Sequence, residues 1–403
     1  MIGLSETETC AIAAINQAAM LADVEGWAAI NTGSRNLDGL ARMADLLAGR
    51  FAALPGQVAL RNPAPVQAMR DDGSLADTLH GQHLVARIRP EAAVRLLLTG
   101  HMDTVFASNH PFQACRWLDA DTLNGPGTAD MKGGVAVILH ALMAVEASGG
   151  APNLGYDILI NSDEEVGSLS SAPLIAELAA GKIAALTYEP SALPDGTLAG
   201  ARPGSGNFAI RITGKAAHAG RNPQDGRNAV VAAADLAVRL KAAHRPDMTI
   251  NPARIGGGGP NNMVPDNALL HVNIRPRDAA TLAEAKQLLA DLTDDIARVH
   301  DVTVHIHGHF ARPPKPVDPA AERLFALVTE AGRALGQTIG RKDSGGVCDG
   351  NNIAACGVPV VDTMGVRGGN IHSSDEFMIA SSLSERAALS AVTILRIAQQ
   401  GGV

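Results

Sequence analysis

The 403-residue chain reads as an α/β protein on a mixed, mostly parallel sheet, with a smaller α+β unit set into it. Three observations carry that reading. Apolar runs of strand length, around 96–98, 156–162, 183–188 and 358–364, are nearly continuous, as in strands covered on both faces. Segments of helical periodicity, at 8–29, 36–52 and 135–147, alternate with them. Between 207 and 307 the order becomes strand, helix, strand, strand, helix, strand, the split βαβ, ferredoxin-like pattern.

Composition narrows the function classes. Hydrophobic residues make up 46% and charged residues 18%, which suits a large buried core. A net charge of −8 and a pI near 5.9 disfavour a nucleic-acid or anionic-membrane partner. The N-terminal stretch Met1-Ile2-Gly3-Leu4-Ser5-Glu6-Thr7-Glu8 carries acids where a secretory leader carries lysine or arginine, so none is expected. No uninterrupted apolar run reaches membrane-spanning length. Cys10, Cys115, Cys348 and Cys356 form no C-x-x-C pair; free thiols in a reducing cytoplasm are the expectation.

Taken in order, two helices (8–29 and 36–52, the second stopped by Pro55-Gly56) precede an alternating strand at 83–88. The run Leu96-Leu97-Leu98-Thr99-Gly100 then ends in His101-Met102-Asp103. His-x-Asp at a strand end puts two polar groups on one side of an extended chain, at the edge where open α/β sheets bind ligands. Residues 109–123 read as irregular or a hairpin. The loop Gly125-Pro126-Gly127-Thr128-Ala129-Asp130-Met131-Lys132-Gly133-Gly134 feeds a helix but lacks the phosphate-loop endings, so it serves to deliver Asp130. The strand at 156–162 ends in Asp163-Glu164-Glu165, that at 183–188 in Glu189-Pro190, and the one at 358–364 is followed by His372.

Five potential ligands, His101, Asp130, Glu165, Glu189 and His372, thus follow β-rich stretches whose ends converge in a parallel sheet. Converging carboxylates repel unless a cation sits among them. Two imidazoles and three carboxylates suit a pair of divalent ions with one bridging carboxylate; the N/O set favours zinc, with cobalt or manganese able to substitute. In the middle of the chain, Ala201 to Gly206 reads as a linker. The strands of the inserted unit fall at 207–213, 248–255, 269–274 and 302–307, its helices at 227–240 and 281–299. A second linker, 311–316, closes it. The division is therefore 1–201 (first part of the sheet unit), 202–312 (inserted unit) and 313–403 (second part).

These motifs, in this order, resemble the co-catalytic dizinc aminoacylase and exopeptidase family, which includes acetylornithine deacetylase, succinyl-diaminopimelate desuccinylase, aminoacylase and bacterial glutamate carboxypeptidase. The match is carried by Gly100 to Val105, Gly125 to Gly134, Asp163-Glu164-Glu165 with Gly167, Glu189-Pro190 and His372-Ser373-Ser374-Asp375. Gly214-Lys215-Ala216-Ala217-His218-Ala219-Gly220 points to the glutamate carboxypeptidase branch. The resemblance implies a zinc-exopeptidase-like catalytic domain with a lid and dimerisation domain inserted. It implies that Asp130 bridges two metals, with His101 and Glu189 on one and Glu165 and His372 on the other. Asp103 would fix the His101 tautomer, Glu164 would be the general base, and the Asp130–Met131 peptide would be cis. His218, Asn262 and Arg275 match lid residues that contact substrate in relatives. Gly345 and Gly346 match a loop whose amides approach a bound carboxylate. Cys348 and Gly350-Asn351 depart from the usual form of that loop. A homodimer through the inserted unit, with His218 reaching the partner's site, is also implied.

The residue types fit amide hydrolysis. Two metals sharing a water lower its pKa. A free carboxylate beside it, Glu164, can take its proton and pass it to the leaving amine. If the chain there is extended, Glu164 and Glu165 point to opposite sides, one as base and one as ligand. His218 is the natural oxyanion donor, Arg275 can fork onto a substrate carboxylate, and Arg312 could read a second substrate acid. The expectation is a hydrolase of an amide beside a free carboxylate, acting on an N-acyl amino acid or short peptide. The alternatives are a deacylase of the acetylornithine or succinyl-diaminopimelate type and a non-catalytic binding protein on the same scaffold.

Overall fold

A computed structural model describes residues 3–403; Met1 and Ile2, part of the stretch read above for a leader, lie outside the described residues. The larger sheet has six strands in the order Gln57–Arg61, His83–Ile88, Leu154–Asn161, Val94–His101, Ala184–Thr187, Val360–Val361. The first three pair antiparallel and the remaining contacts are parallel. Leu154–Asn161 is buried along its whole length, and Val94–His101 over its last six residues. That is why both read as continuous apolar runs.

Helix Gly133–Ser148 lies against this sheet and is buried almost all round. By length and composition the stretch Thr128–Ser148 could cross a membrane, a feature absent from the sequence reading, but 94% of its apolar window is buried inside the protein. Gly134 makes the close approach possible: a Cβ there would lie 2.0 Å from the carbonyl oxygen of Tyr188, the residue before Glu189. Helices Glu6–Ala13, Gln17–Ala28 and Ser382–Gln400 complete the layer. The single helix expected over 8–29 is two, because Asn16 adopts extended backbone and caps the second through Ala19 N–H.

The second sheet has four antiparallel strands in the order Met248–Gly257, Asn267–Pro276, Ser205–Thr213, Thr303–Arg312. With helices Ala229–Ala242 and Ala279–His300 this is the split βαβ order. It has its own apolar cluster, in which Ile210, Ile212, Leu270 and Ile274 meet the helices' Leu236, Leu240 and Leu289. Alternation leaves Asn207, Asn273 and Arg275 on the opposite face. The last strand runs through Ala311 and Arg312, so the second linker is shorter than its proline-rich sequence suggests. A hairpin of Val66–Met69 and Leu75–Thr78, which the sequence reading lacks, rises from the first unit and touches the second.

Gly134→Ala should destabilise the chain by about 1–3 kcal/mol or more, the usual cost of overpacking. Gly26→Ala, where an added Cβ meets nothing within 4 Å, should be neutral or stabilising by up to about 1 kcal/mol. Urea midpoints of the two variants give the comparison.

Candidate metal centre and active site

The site lies at the C-terminal ends of the parallel strands, at the floor of a cleft of about 1250 Å³ between the two sheets. His101 closes Val94–His101 and is buried. Its Nε2 is 3.1 Å from Asp130 Oδ1 and 3.7 Å from Glu189 Oε2. Across Asp130, Oδ2 lies 3.3 Å from His372 Nε2, which is also 3.1 Å from Glu165 Oε2. One carboxylate therefore faces an imidazole with each oxygen. Each half of the cluster holds a further glutamate, Glu189 on the His101 side and Glu165 on the His372 side.

Each residue is delivered by a local device. Asp130 sits between the Gly127 turn and the Gly133–Ser148 helix, and the Asp130–Met131 peptide is cis. Glu376, which the sequence reading missed, holds this loop: its carboxylate accepts from Gly127 N (3.2 Å), Ala129 N (3.0 Å) and Asp130 N (3.0 Å). Asp103 accepts from Ser34 Oγ at 2.7 Å and from the backbone N–H groups of Glu164 and Glu165 at 3.1 and 3.2 Å. Its carbonyl lies 3.0 Å and its Oδ1 3.4 Å from His101 Nδ1. A neutral His101 whose Nδ1–H is held there turns Nε2 towards Asp130 as a free acceptor. His372 adopts a left-handed φ of 63°, which costs a non-glycine residue some strain.

Glu164 and Glu165 do not lie on extended chain as expected. They open a short 3₁₀ turn, Glu164–Val166, and their side chains part within it: Glu165 meets His372, while a Glu164 oxygen lies within 4.8 Å of donor atoms of His101 and Glu189. Arg312 is buried and approaches Glu164, with Nη2 2.7 Å from Oε1 and donating to the Glu164 carbonyl at 3.0 Å and Ser168 Oγ at 2.8 Å. It is 3.6 Å from Asp349, a buried acid also missed. Arg312 thus faces two protein acids while also lining the cleft. Nothing local marks Glu376 or Asp349, because their partners lie far away in the chain.

Electrostatics fit a cation. Burial pushes Glu164 up to about 7 in spite of Arg312. Burial, then the charge of Asp130, pushes Glu165 up to about 8. The bonds of His372 to Asp130 and Glu165 raise it to about 11. The carboxylates exceed what two imidazoles neutralise, and their oxygens and ring nitrogens form the donor set of borderline divalent ions. His101, Asp130 and Glu189, and Asp130, Glu165 and His372, could each hold one.

The walls of the cleft differ. Arg275 donates from Nε to Asn273 Oδ1 (3.0 Å) and from Nη1 to Gly345 O (3.1 Å), and it lines the cleft with Gly345 and Gly346. Leu193, Pro194, Ile371 and Phe377 line another part. His218 and Asn262 are not brought to this cleft. Both are exposed beside the small pairing of Ala217–His218 with Met263–Val264, where Ala219 N donates to Asn262 O. His218 Nδ1 accepts from Gly220 N and Arg221 N, both at 3.1 Å, which leaves Nε2 to donate outward. Cys348 is buried 3.7 Å from Asp362, and burial pushes its thiol well above its usual range, against a nucleophilic role.

The sequence matches the profile of peptidase family M20/M25/M40 over residues 97–396, most of the chain. The chain belongs to this family. It is a hydrolase of amide bonds in the metallopeptidase class. Among M20 relatives, carboxypeptidase G2 of Pseudomonas sp. (strain RS-16) is 28% identical over 383 residues, covering 94% of this chain and 89% of that protein. Acetylornithine deacetylase of Yersinia pseudotuberculosis serotype O:1b (strain IP 31758) is 32% identical over 279 residues, 63% of this chain and 66% of that one. The M20 fold is shared with the YXEP protein of Bacillus subtilis, described as a dinuclear metal binding peptidase; the TM-score is 0.67 at 14% identity, over 95% of this chain and 98% of that one.

Glu376→Ala should leave the fold intact and weaken binding of divalent metal by about 10–100-fold, as loss of a partner behind a ligand does. Competition titration against a chromogenic chelator measures it.

Proposed function

We propose that this M20 protein hydrolyses the amide bond of an N-acyl amino acid or short peptide beside a free carboxylate, in the manner of a carboxypeptidase. The observation that carries the reading is the pairing of Asp130, one oxygen towards His101 and one towards His372, with a glutamate beside them that the two imidazoles leave free. His101, Asp130, Glu165, Glu189 and His372 would hold two divalent cations, zinc in preference to cobalt or manganese. When bound, the pair supplies Lewis acidity towards the scissile carbonyl and lowers the pKa of water.

The residues of the chain do the rest. Glu164, as general base, accepts a proton at its carboxylate and returns it to the leaving nitrogen. Arg275 and the Gly345-Gly346 loop grip the carboxylate and so set the register of the amide over the cluster. The inserted unit, residues 202–312, acts as lid and dimerisation surface. With Nε2 free to donate, His218 suits an oxyanion contact in the partner's cleft, with Asn262 beside it. The similarity to acetylornithine deacetylase keeps a deacylase of that type as the second reading. A cytoplasmic place is proposed from the cysteines alone, four without a C-x-x-C pair.

The deciding experiment is metal content together with turnover of acyl-glutamates, dipeptides and acetylornithine. Metal-reconstituted protein should approach two ions per chain, and a saturated value of one or none overturns the centre. Glu164→Gln should keep fold and metal and lose about 10²–10⁴-fold in kcat. Converting the best substrate's carboxylate to a primary amide should lower kcat/KM at least about 10²-fold, the effect of losing one partner of a buried charge pair. Arg275→Ala should hurt the acid substrate far more than the amide; equal losses would assign Arg275 to lid structure. Mixed dimers of His218→Ala and Glu164→Gln chains should recover activity that neither homodimer has, and no recovery in proven heterodimers would exclude the shared site.

A further inference from the structure

The inserted unit is joined to the first by two chain crossings that lie side by side. Arg202 bridges Lys315 antiparallel, and Ser205 stands opposite Arg312. Each crossing carries one buried arginine, and the two are used differently. Arg202 is saturated: Nε and Nη2 donate to Asp362 at 2.8 and 3.0 Å, and Nη1 donates to Gly346 O at 3.2 Å. Lys315 adds a second cation 3.2 Å from the same aspartate. This crossing is pinned.

Arg312 is not. Its Nη2 serves the Glu164 carbonyl and Ser168 Oγ, its Nη1 reaches Val347 O only at 3.5 Å, and its Nε has no partner among the described residues. Glu164 Oε1 is 2.7 Å from Nη2 yet off line for a hydrogen bond, and it has no hydrogen-bond partner among the described residues. A buried guanidinium and a buried carboxylate in contact without aligned bonds retain unused hydrogen-bonding capacity. A small rotation of the strand end would align or release them. Arg312 ends the Thr303–Arg312 strand of the inserted unit, so motion of that unit is motion of Arg312.

We propose that Arg312 is a positioning residue for Glu164. It holds the carboxylate and the turn carbonyl from the hinge, and it ties the aim of that carboxylate to the position of the inserted unit. The inference rests on the reading of Glu164 as general base. Two other roles have different signatures: a substrate-carboxylate reader acts on KM, and a purely structural ion pair acts on fold and metal content.

The test is steady-state kinetics of metal-reconstituted full-length enzyme on the fastest substrate of the panel above, as acid and as primary amide. Arg312→Ala, Arg312→Lys and Glu164→Gln are compared, each with and without added guanidinium chloride at non-denaturing concentration. Arg312→Ala should lower kcat about 10²-fold, the order expected for an angstrom-scale misplacement. KM for the acid substrate should stay essentially unchanged and metal content at two, because losing the aim of the base removes transition-state stabilisation and leaves ground-state binding alone. Guanidinium should restore kcat about tenfold or more in Arg312→Ala and not in Glu164→Gln. Arg312→Lys keeps the buried charge and should fold even if the alanine variant does not; it should fall between wild type and alanine in kcat, again at unchanged KM. A rise in KM confined to the acid substrate would overturn the proposal in favour of substrate reading. Loss of metal or fold in both variants without guanidinium rescue would overturn it in favour of a structural pair. Near-wild-type kcat in Glu164→Gln would instead remove the base assignment on which it stands.

Discussion

The arrangement depends on keeping one carboxylate, Asp130, buried between two imidazoles with further acids around it. Like charges gathered out of water repel and lose solvation, so every acid nearby must be either paired off or left for a cation. The structure divides them into two layers. The outer acids are saturated by hydrogen bonds: Asp163 accepts from Ser170 and Ser171, Asp103 from Ser34 and two backbone N–H groups, and Glu376 from three. Among the described residues, the side chains of Asp130, Glu165 and Glu189 are left with imidazoles alone. The outer layer shapes the loops, and the inner layer is what a metal can claim.

That division explains what could be read from sequence. His101, Asp130, Glu165, Glu189 and His372 each follow a strand or a glycine-marked turn, so a local pattern exposes each of them, and the sheet order then brings them together. The split βαβ unit is legible for the same reason, since each element announces itself by its own period. The outer layer leaves no such mark. Glu376 meets Asp130 N–H across 246 positions, and Arg312 meets the Glu164 carbonyl across 148. The 3₁₀ turn at Glu164 was hidden differently. An acidic triplet after a strand is compatible with continued extension; here the Glu164 and Glu165 N–H groups turn to Asp103, and Val166 and Gly167 N–H close back on the Asp163 and Glu164 carbonyls.

The inserted unit contributes by the alternation of its strands. One face of its sheet is spent on its own helices, so the other is free to be polar, and Asn207, Asn273 and Arg275 hang over the cleft. Asn273 is a bridge between backbone register and chemistry. It donates to Asn207 Oδ1 at 2.8 Å and accepts from Arg275 Nε, which fixes the plane of the guanidinium before any ligand arrives. Preorganising a fork in this way lowers the ordering cost of binding a carboxylate.

Besides the bonds of Arg275 to Gly345 O and of Asn352 to Ala311 O, that unit is held over the site at its crossings and at its far end, and the strengths differ. At the crossings the arginines are buried against acids, where removing one partner is costly. At the far end the 66–78 hairpin meets it through His307 Nε2 and Gln67 O at 3.0 Å, Arg211 and Gly73 O at 3.4 Å, and the ion pair of Arg254 with Asp71. The Arg254–Asp71 pair is solvent-exposed, and exposed pairs contribute about 0–1 kcal/mol each. The weaker end yields first, so the pivot of any opening falls at residues 202–205 and 312–315. Arg275, on the strand beside that pivot, then swings with the roof of the cleft, while Arg312 turns in place against Glu164. On the function proposed above, the grip of Arg275 on substrate and the aim of Glu164 would both follow from that one rotation.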